Sequence, residues 1–151
     1  MMSRMLHIRP YLESDEDAVV ALWRACDLTR PWNDPHKDIA RKLTVQRELF
    51  VVGEVDGRLV ATVMAGFEGH RGWVNYLAVA PGWQGRGLGA RLMAWVEARF
   101  TEAGCPKVSL LVRTTNAPVL AFYRRLGYAV DDAVPLGKRL IADQPAEGEP
   151  G

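Results

Sequence analysis

The sequence predicts a mixed α/β domain in which a twisted, mostly antiparallel sheet is flanked by helices, in the order β-α-α-β-β-β-α-β-α-β-(β). Three observations predict it. Residues 49–79 carry three apolar runs separated only by turn residues, the pattern of a β-meander. Two stretches ahead of it repeat apolar residues at helical spacing behind capping residues. After it, a cluster of glycines separates the last strand of the meander from a long amphipathic helix. At 151 residues the chain fits one domain with room for a core. No repeat or linker divides it. We assign residues 1–141 to the domain and 142–151 to a flexible tail, whose end is rich in Pro, Gly and Glu.

Each element has a local cause. Leu6-His7-Ile8-Arg9 alternates apolar and polar, as an edge or half-buried strand does. Ser14-Asp15-Glu16-Asp17 reads as a capping box, with Ala18, Val19, Leu22, Trp23 and Cys26 on one helical face behind it. Asp34 followed by Pro35 gives an N-cap and a proline at the first helical position. Ile39, Ala40 and Leu43 form the stripe of that second helix, which is expected to end near Arg47. Leu49-Phe50-Val51-Val52 is a strand, Asp56-Gly57 a two-residue hairpin turn, and Leu59 begins the return strand. A glycine loop leads to the third run, Trp73-Val74-Asn75-Tyr76-Leu77-Ala78-Val79, and Pro81 stops it. Leu88, Leu92, Trp95, Val96 and Phe100 then lie on one face of a helix that Gly104 and Pro106 end. Val108-Ser109-Leu110-Leu111-Val112 lacks alternation and reads as a central strand. Asn116 caps the last helix, which carries Pro118 in its first turn, and Gly127 stops it. Residues 128–130 and 136–141 are expected to pair as terminal strands.

Composition narrows the function. The chain is 48% hydrophobic and 25% charged, ordinary for a soluble globular protein. A net charge of +1 calls for no polyanionic partner, so nucleic acid is not expected. No apolar run approaches the ~20 residues of a membrane-spanning helix, and no signal-peptide core follows Met1, so neither a membrane nor export is expected and the location is expected to be cytoplasmic. Cys26 and Cys105 stand apart, without metal-ligand spacing. They read as buried free thiols, and no metal site is expected.

Chemistry concentrates at Gln84-Gly85-Arg86-Gly87-Leu88-Gly89. Glycines remove side chains where backbone amides at a helix N-terminus become free, which makes an anion site. Arg86 and Arg91 add positive charge. A plain strand-to-helix connector is the other reading. A Walker loop would need Gly-Lys-Ser/Thr, which is missing. A dinucleotide fingerprint would need a third glycine at the right spacing in a first βαβ unit, whereas a meander precedes this turn.

These residues resemble the GNAT superfamily of N-acetyltransferases, whose pyrophosphate-binding pattern is Q/R-x-x-G-x-G/A. Leu77-Ala78-Val79-Ala80-Pro81 is similar to the family's splayed fourth strand. Asn116-Ala117-Pro118-Val119-Leu120-Ala121-Phe122-Tyr123-Arg124-Arg125-Leu126-Gly127-Tyr128 resembles its second motif, N-x-x-x-x-x-x-Y-x-x-x-G-F/Y. The likeness spans residues 6 to about 140. Within the family, Leu28-Thr29-Arg30-Pro31-Trp32-Asn33-Asp34-Pro35 is similar to a YpeA-like bacterial subgroup.

The resemblance implies acetyl-CoA as co-substrate and a primary amine as acceptor, joined by direct transfer in a ternary complex. The alternatives are a non-catalytic acyl-CoA sensor and, against the loop spacing, a nucleotide-binding domain. The resemblance implies that the backbone of Leu77, Ala78 and Val79 pairs with pantetheine. Gln84, Gly85, Arg86, Gly87, Leu88, Gly89 and Ala90 would hold the pyrophosphate. Asn116 would contact the pantetheine arm besides capping its helix. Tyr123 would be the acid that protonates the departing thiolate, although packing alone also accounts for it. Arg30, Trp32, Asn33 and Asp34, with His36 nearby, would face the acceptor. No base is assigned: the fourth and fifth strands carry Asn75, Tyr76 and Ser109 but no acid, while Glu68, Asp34 and His36 have ordinary polar roles open to them. Relatives often pair through their C-terminal strands, so a homodimer is a further expectation.

Overall fold

The computed structural model describes residues 5–144. Asp56-Gly57 sets its meander: both residues hold positive φ, 52° and 77°, the hairpin geometry whose twist matches the flanking strands. That turn joins β2 (Phe50–Val55) to β3 (Arg58–Phe67). β4 (Gly72–Val79) returns antiparallel to β3, and β1 (His7–Pro10) pairs antiparallel outside β2. β5 (Val108–Leu110) lies parallel beside β4, which gives the sheet order β1-β2-β3-β4-β5.

Four helices cover the sheet: α1 (Glu16–Ala25), α2 (Pro35–Lys42), α3 (Leu88–Glu102) and α4 (Ala117–Arg125). On one face Val19, Val20 and Trp23 of α1 and Ile39 of α2 pack on Phe50, Val52, Met64 and Ala78. On the other, Leu92, Met93, Val96 and Phe100 of α3 and Tyr123 of α4 pack on Val51, Val63, Ala65 and Val74. β2 and β3 are buried on both faces, so their successive apolar residues supply both cores. Among the described residues, no helix is long and apolar enough to cross a membrane.

The structure corrects several expectations. Ser14 does not cap α1. Asp15 accepts the Leu12 amide at 2.8 Å and the Arg9 guanidinium at 2.8 and 2.9 Å, and a single 3-10 turn precedes the helix. Ala18 and Ala40 face solvent, and Val20 takes an inward position on α1. α2 ends at Lys42 rather than near Arg47, and Gln46 turns the chain at φ 51°. β5 is the outer strand of the sheet rather than a central one, because the expected terminal strands do not form. Residues 128–130 and 136–141 run without sheet pairing. Lys107 holds Asp131, and Arg139 reaches Asn33, so polar tethers direct this segment toward α2. Nor does the chain come free at residue 142: Asp143 is 2% exposed and accepts from the Asp34 amide and Arg41, while its carbonyl accepts from Lys37. The rest of the expected tail, 145–151, lies outside the described residues.

Candidate active site

The site begins at an irregularity in β4. Its pairing with β3 runs Ala61↔Val79 and Thr62↔Ala78, then jumps to Met64↔Asn75. One extra residue therefore sits on β4, a bulge that bends the strand. Tyr76 absorbs the strain at φ 51°, a conformation a non-glycine residue keeps only when its surroundings impose it. They do so here. Its ring stacks on Trp23 with centroids 3.7 Å apart, its carbonyl accepts from the Thr62 hydroxyl at 3.0 Å, and its own hydroxyl donates to Asp38 at 2.7 Å. The Trp23 indole N–H in turn donates to Thr62 at 2.9 Å.

β5 pairs with β4 only from Gly72↔Val108 to Val74↔Leu110. Beyond that rung the bulge carries β4 away and β5 ends, so the sheet forks. A cleft of about 970 Å³ opens in the fork. Asn75, Tyr76 and Leu77 form one wall, and Leu111, Val112 and Arg113 another. Asn116, Val119 and Tyr123 come from the α4 side, and Arg30, Asn33, Asp38 and Lys42 from the α1–α2 side. The Ala80 amide donates to the Val60 carbonyl at 2.8 Å. Alternation along the strand then turns the backbone groups of Leu77 and Val79 away from β3; Leu77 lines the fork, and the Val79 carbonyl accepts from Gln84 and Cys26 at its edge. The Ala78 side chain is buried against α1 and does not reach the cleft.

The glycine turn lies at the end of β4. Gly85 and Gly87 hold φ of 78° and 80°, a region that favours glycine. A Cβ on either would meet nothing within 4 Å, so the turn borders open space. The first helical bond joins the Arg91 amide to the Gly87 carbonyl. The amides of Leu88, Gly89 and Ala90 precede it and carry the positive end of the α3 dipole. Leu88 contributes only its amide, since its side chain is buried in the core. A Cβ on Gly89 would lie 3.2 Å from the Phe122 ring and 3.7 Å from Val79, so glycine there lets α3 close on α4 and β4. Gln84 donates its side-chain amide to the Val79 carbonyl at 2.9 Å, tying the turn to the strand end. Arg86 stacks over Trp83 at 4.8 Å, whereas Arg91 reaches the Leu6 carbonyl at 3.5 Å. Amides, dipole, room and one guanidinium together fit a pyrophosphate.

On α4, the Asn116 side chain accepts the Val119 amide at 3.3 Å, the expected cap, and also lines the cleft. Tyr123 is 8% exposed, and burial pushes its phenol up to about 12. Phe122 and Tyr128 meet its ring edge-on at 5.0 and 5.5 Å. Among the described residues its hydroxyl has no hydrogen-bond partner, so it has a proton to offer the cleft.

The acceptor side matches the sequence reading only in part. Arg30 and Asn33 line the cleft. Trp32 does not: it faces a separate groove of about 580 Å³ beside Arg41 and residues 137–141. Asp34 spends its carboxylate on the His36 and Lys37 amides as the cap of α2. His36 pairs with Glu16 at 2.6 Å, and Glu68 accepts the His70 and Arg71 amides in its own loop; neither lines the cleft. Sequence reasoning missed Asp38, Arg41 and Lys42, all on the cleft. Their spacing around the buried Ile39 was the available signal, since i+3 and i+4 neighbours on a helix share a side. Cys26 also lines the cleft and donates its thiol to the Val79 carbonyl at 3.2 Å. It is half-buried rather than wholly enclosed.

The chain belongs to the acetyltransferase (GNAT) family, whose model matches residues 17–128. An acetyltransferase of Yersinia enterocolitica is 47% identical over 139 residues, 92% of this chain and 99% of the relative. Ard1 from Thermoplasma volcanium superposes with a TM-score of 0.73 at 23% identity, covering 83% of this chain and 84% of that one. AAC(6')-Iy, in complex with a bisubstrate analogue that joins CoA to monomethyl-acetylneamine, superposes with a TM-score of 0.73 at 16% identity, covering 91% and 99%.

Proposed function

We propose that the protein transfers the acetyl group of acetyl-CoA directly to a primary amine bound in the fork. The observation that carries this reading is Tyr123: a buried phenol, protonated and without a hydrogen-bond partner among the described residues, on the wall of the cleft that the glycine turn adjoins. The amides of Leu88, Gly89 and Ala90, with Arg86, hold the pyrophosphate. The backbone of Leu77 and Val79 and the side chain of Asn116 guide the pantetheine arm into the fork. The amine nitrogen then forms its bond to the thioester carbonyl carbon while the carbon–sulfur bond breaks. Tyr123 gives its proton to the departing sulfur and recovers one released by the nitrogen through water, leaving an amide and a free thiol. AAC(6')-Iy, an aminoglycoside N-acetyltransferase that shares the fold, was solved with the bisubstrate analogue CoA-S-monomethyl-acetylneamine, which supports an amine as acceptor.

Thiol release from acetyl-CoA across a panel of primary amines tests the reading. Release above the amine-free rate with at least one class of amine is expected. If acetyl-CoA binds in calorimetry but no amine releases thiol, the protein is an acyl-CoA sensor instead. We also propose that two chains pair through the exposed apolar segment that follows α4.

A further inference from the structure

Charge on the cleft is unbalanced. Arg30, Arg41, Lys42 and Arg113 line it against only two carboxylates, Asp27 and Asp38. Both carboxylates are engaged. Asp27, 95% exposed, pairs with Arg30 at 3.6 Å. Asp38 accepts from Tyr76 and from Arg41, and Arg41 also binds Asp143. That leaves Lys42 and Arg113. Lys42 is half-buried, and among the described residues its one side-chain hydrogen bond is to the Ala65 carbonyl at 2.5 Å. Among the described residues it forms no ion pair. Desolvation pushes its pKa down, and Glu48 opposes that only from beyond ion-pair distance. The Arg113 side chain has no hydrogen bond or ion pair among the described residues.

Position adds to charge. Ala65 pairs with Val74, and Val74 pairs with Leu110 on the last rung before the fork. The Lys42 ammonium is therefore anchored to β3 level with the last rung before the sheet opens, and its side chain lines the cleft. A cationic cleft repels a simple ammonium or a polyamine, and a partly desolvated cation is eased by an anion that approaches it. We infer that the acceptor is an amine with a carboxylate close to it, on the scale of an α- or β-amino acid, and that Lys42 and Arg113 bind that carboxylate. The inference rests on the proposed amine transfer.

The test compares kcat/KM for thiol release with matched acceptors: amino acids, their carboxamides and the decarboxylated amines. The carboxylate form is expected to lead by about tenfold or more, the size of a charge-assisted contact. Lys42→Met and Arg113→Gln should each bring that ratio toward one. Arg113 is exposed, so its variant remains informative should Lys42→Met fail to fold. Calorimetric titration of the same amino acids into CoA-loaded protein should show binding that both substitutions weaken. Carboxamides that react as well as the acids would overturn the inference and leave amine transfer standing. Acetyl-CoA binding with no thiol release from any acceptor would overturn amine transfer, and the inference with it.

Discussion

Tyr123 joins two properties that pull in the same direction. Burial disfavours the phenolate, which raises the pKa to about 12, and the absence of a hydrogen-bond partner among the described residues leaves the proton uncommitted. Because the shift is upward, the proton stays on through neutral and mildly alkaline pH and is lost only as pH nears 12. The loss of activity that an ordinary tyrosine acid would show near pH 10 is therefore not expected from this group. Tyr123→Phe keeps the ring contacts with Phe122 and Tyr128 and removes only the donor. It should lower kcat about 10²-fold, the usual worth of a positioned acid, while the acetyl-CoA Kd from calorimetry changes by less than about twofold. Unchanged kcat would remove Tyr123 from the chemistry. Residues of this kind were legible in the sequence when their role is local: Asn116 caps the helix that begins one residue later. Trp32 was not, because nothing within a Trp-Asn-Asp-Pro segment says which of two grooves its ring will face. The helical spacing of Lys42 placed it on a side of α2, but its role depends on Ala65 of β3, a contact between two elements far apart in the chain.

At the scale of elements, the α3 N-terminus is the part whose geometry and sequence agree most closely. Gly87 is its N-cap at φ 80° with open space before it. A side chain there has two separable effects. Alanine adds only backbone strain, of about 1 kcal/mol, visible as a modest fall in Tm. Glutamate adds the same strain and a negative charge beside amides that attract anions. Gly87→Glu should therefore weaken acetyl-CoA binding by more than about tenfold, and Gly87→Ala by much less; equal affinities for wild type and the glutamate variant would place the pyrophosphate elsewhere. Asp56-Gly57, Asp34-Pro35 and the glycine turn were all readable because adjacent residues dictate their conformation. The features that shape the cleft were not. The β4 bulge is held by Trp23, Thr62 and Asp38, three residues from three other elements. The start of α1 likewise depends on Arg9 of β1, which turned a local capping box into a tertiary contact.

For the whole molecule, the open question is what covers its last described residues. Val134, Leu136, Leu140 and Ile141 are exposed, Leu136 by 93% and Leu140 by 86%, and among the described residues no strand pairs with the outer edge of the three-residue β5. Clustered apolar exposure of this kind marks an interaction surface, and an open strand edge invites pairing with another chain. The segment expected to form terminal strands thus has a use in a pair of chains that it lacks in one. Burying four aliphatic side chains on each chain contributes about 1.5–3 kcal/mol apiece. Association opposes this with about 4–15 kcal/mol in lost freedom. The balance favours pairing with a dependence on concentration. Light scattering coupled to size exclusion should accordingly give about twice the 16.8 kDa chain mass at ~100 μM and fall toward one chain on dilution. Joint substitution Leu136→Glu and Leu140→Glu should give a single-chain mass throughout, because carboxylates cannot be buried unpaired at such a contact. A wild type of single-chain mass at ~100 μM would refute the pairing.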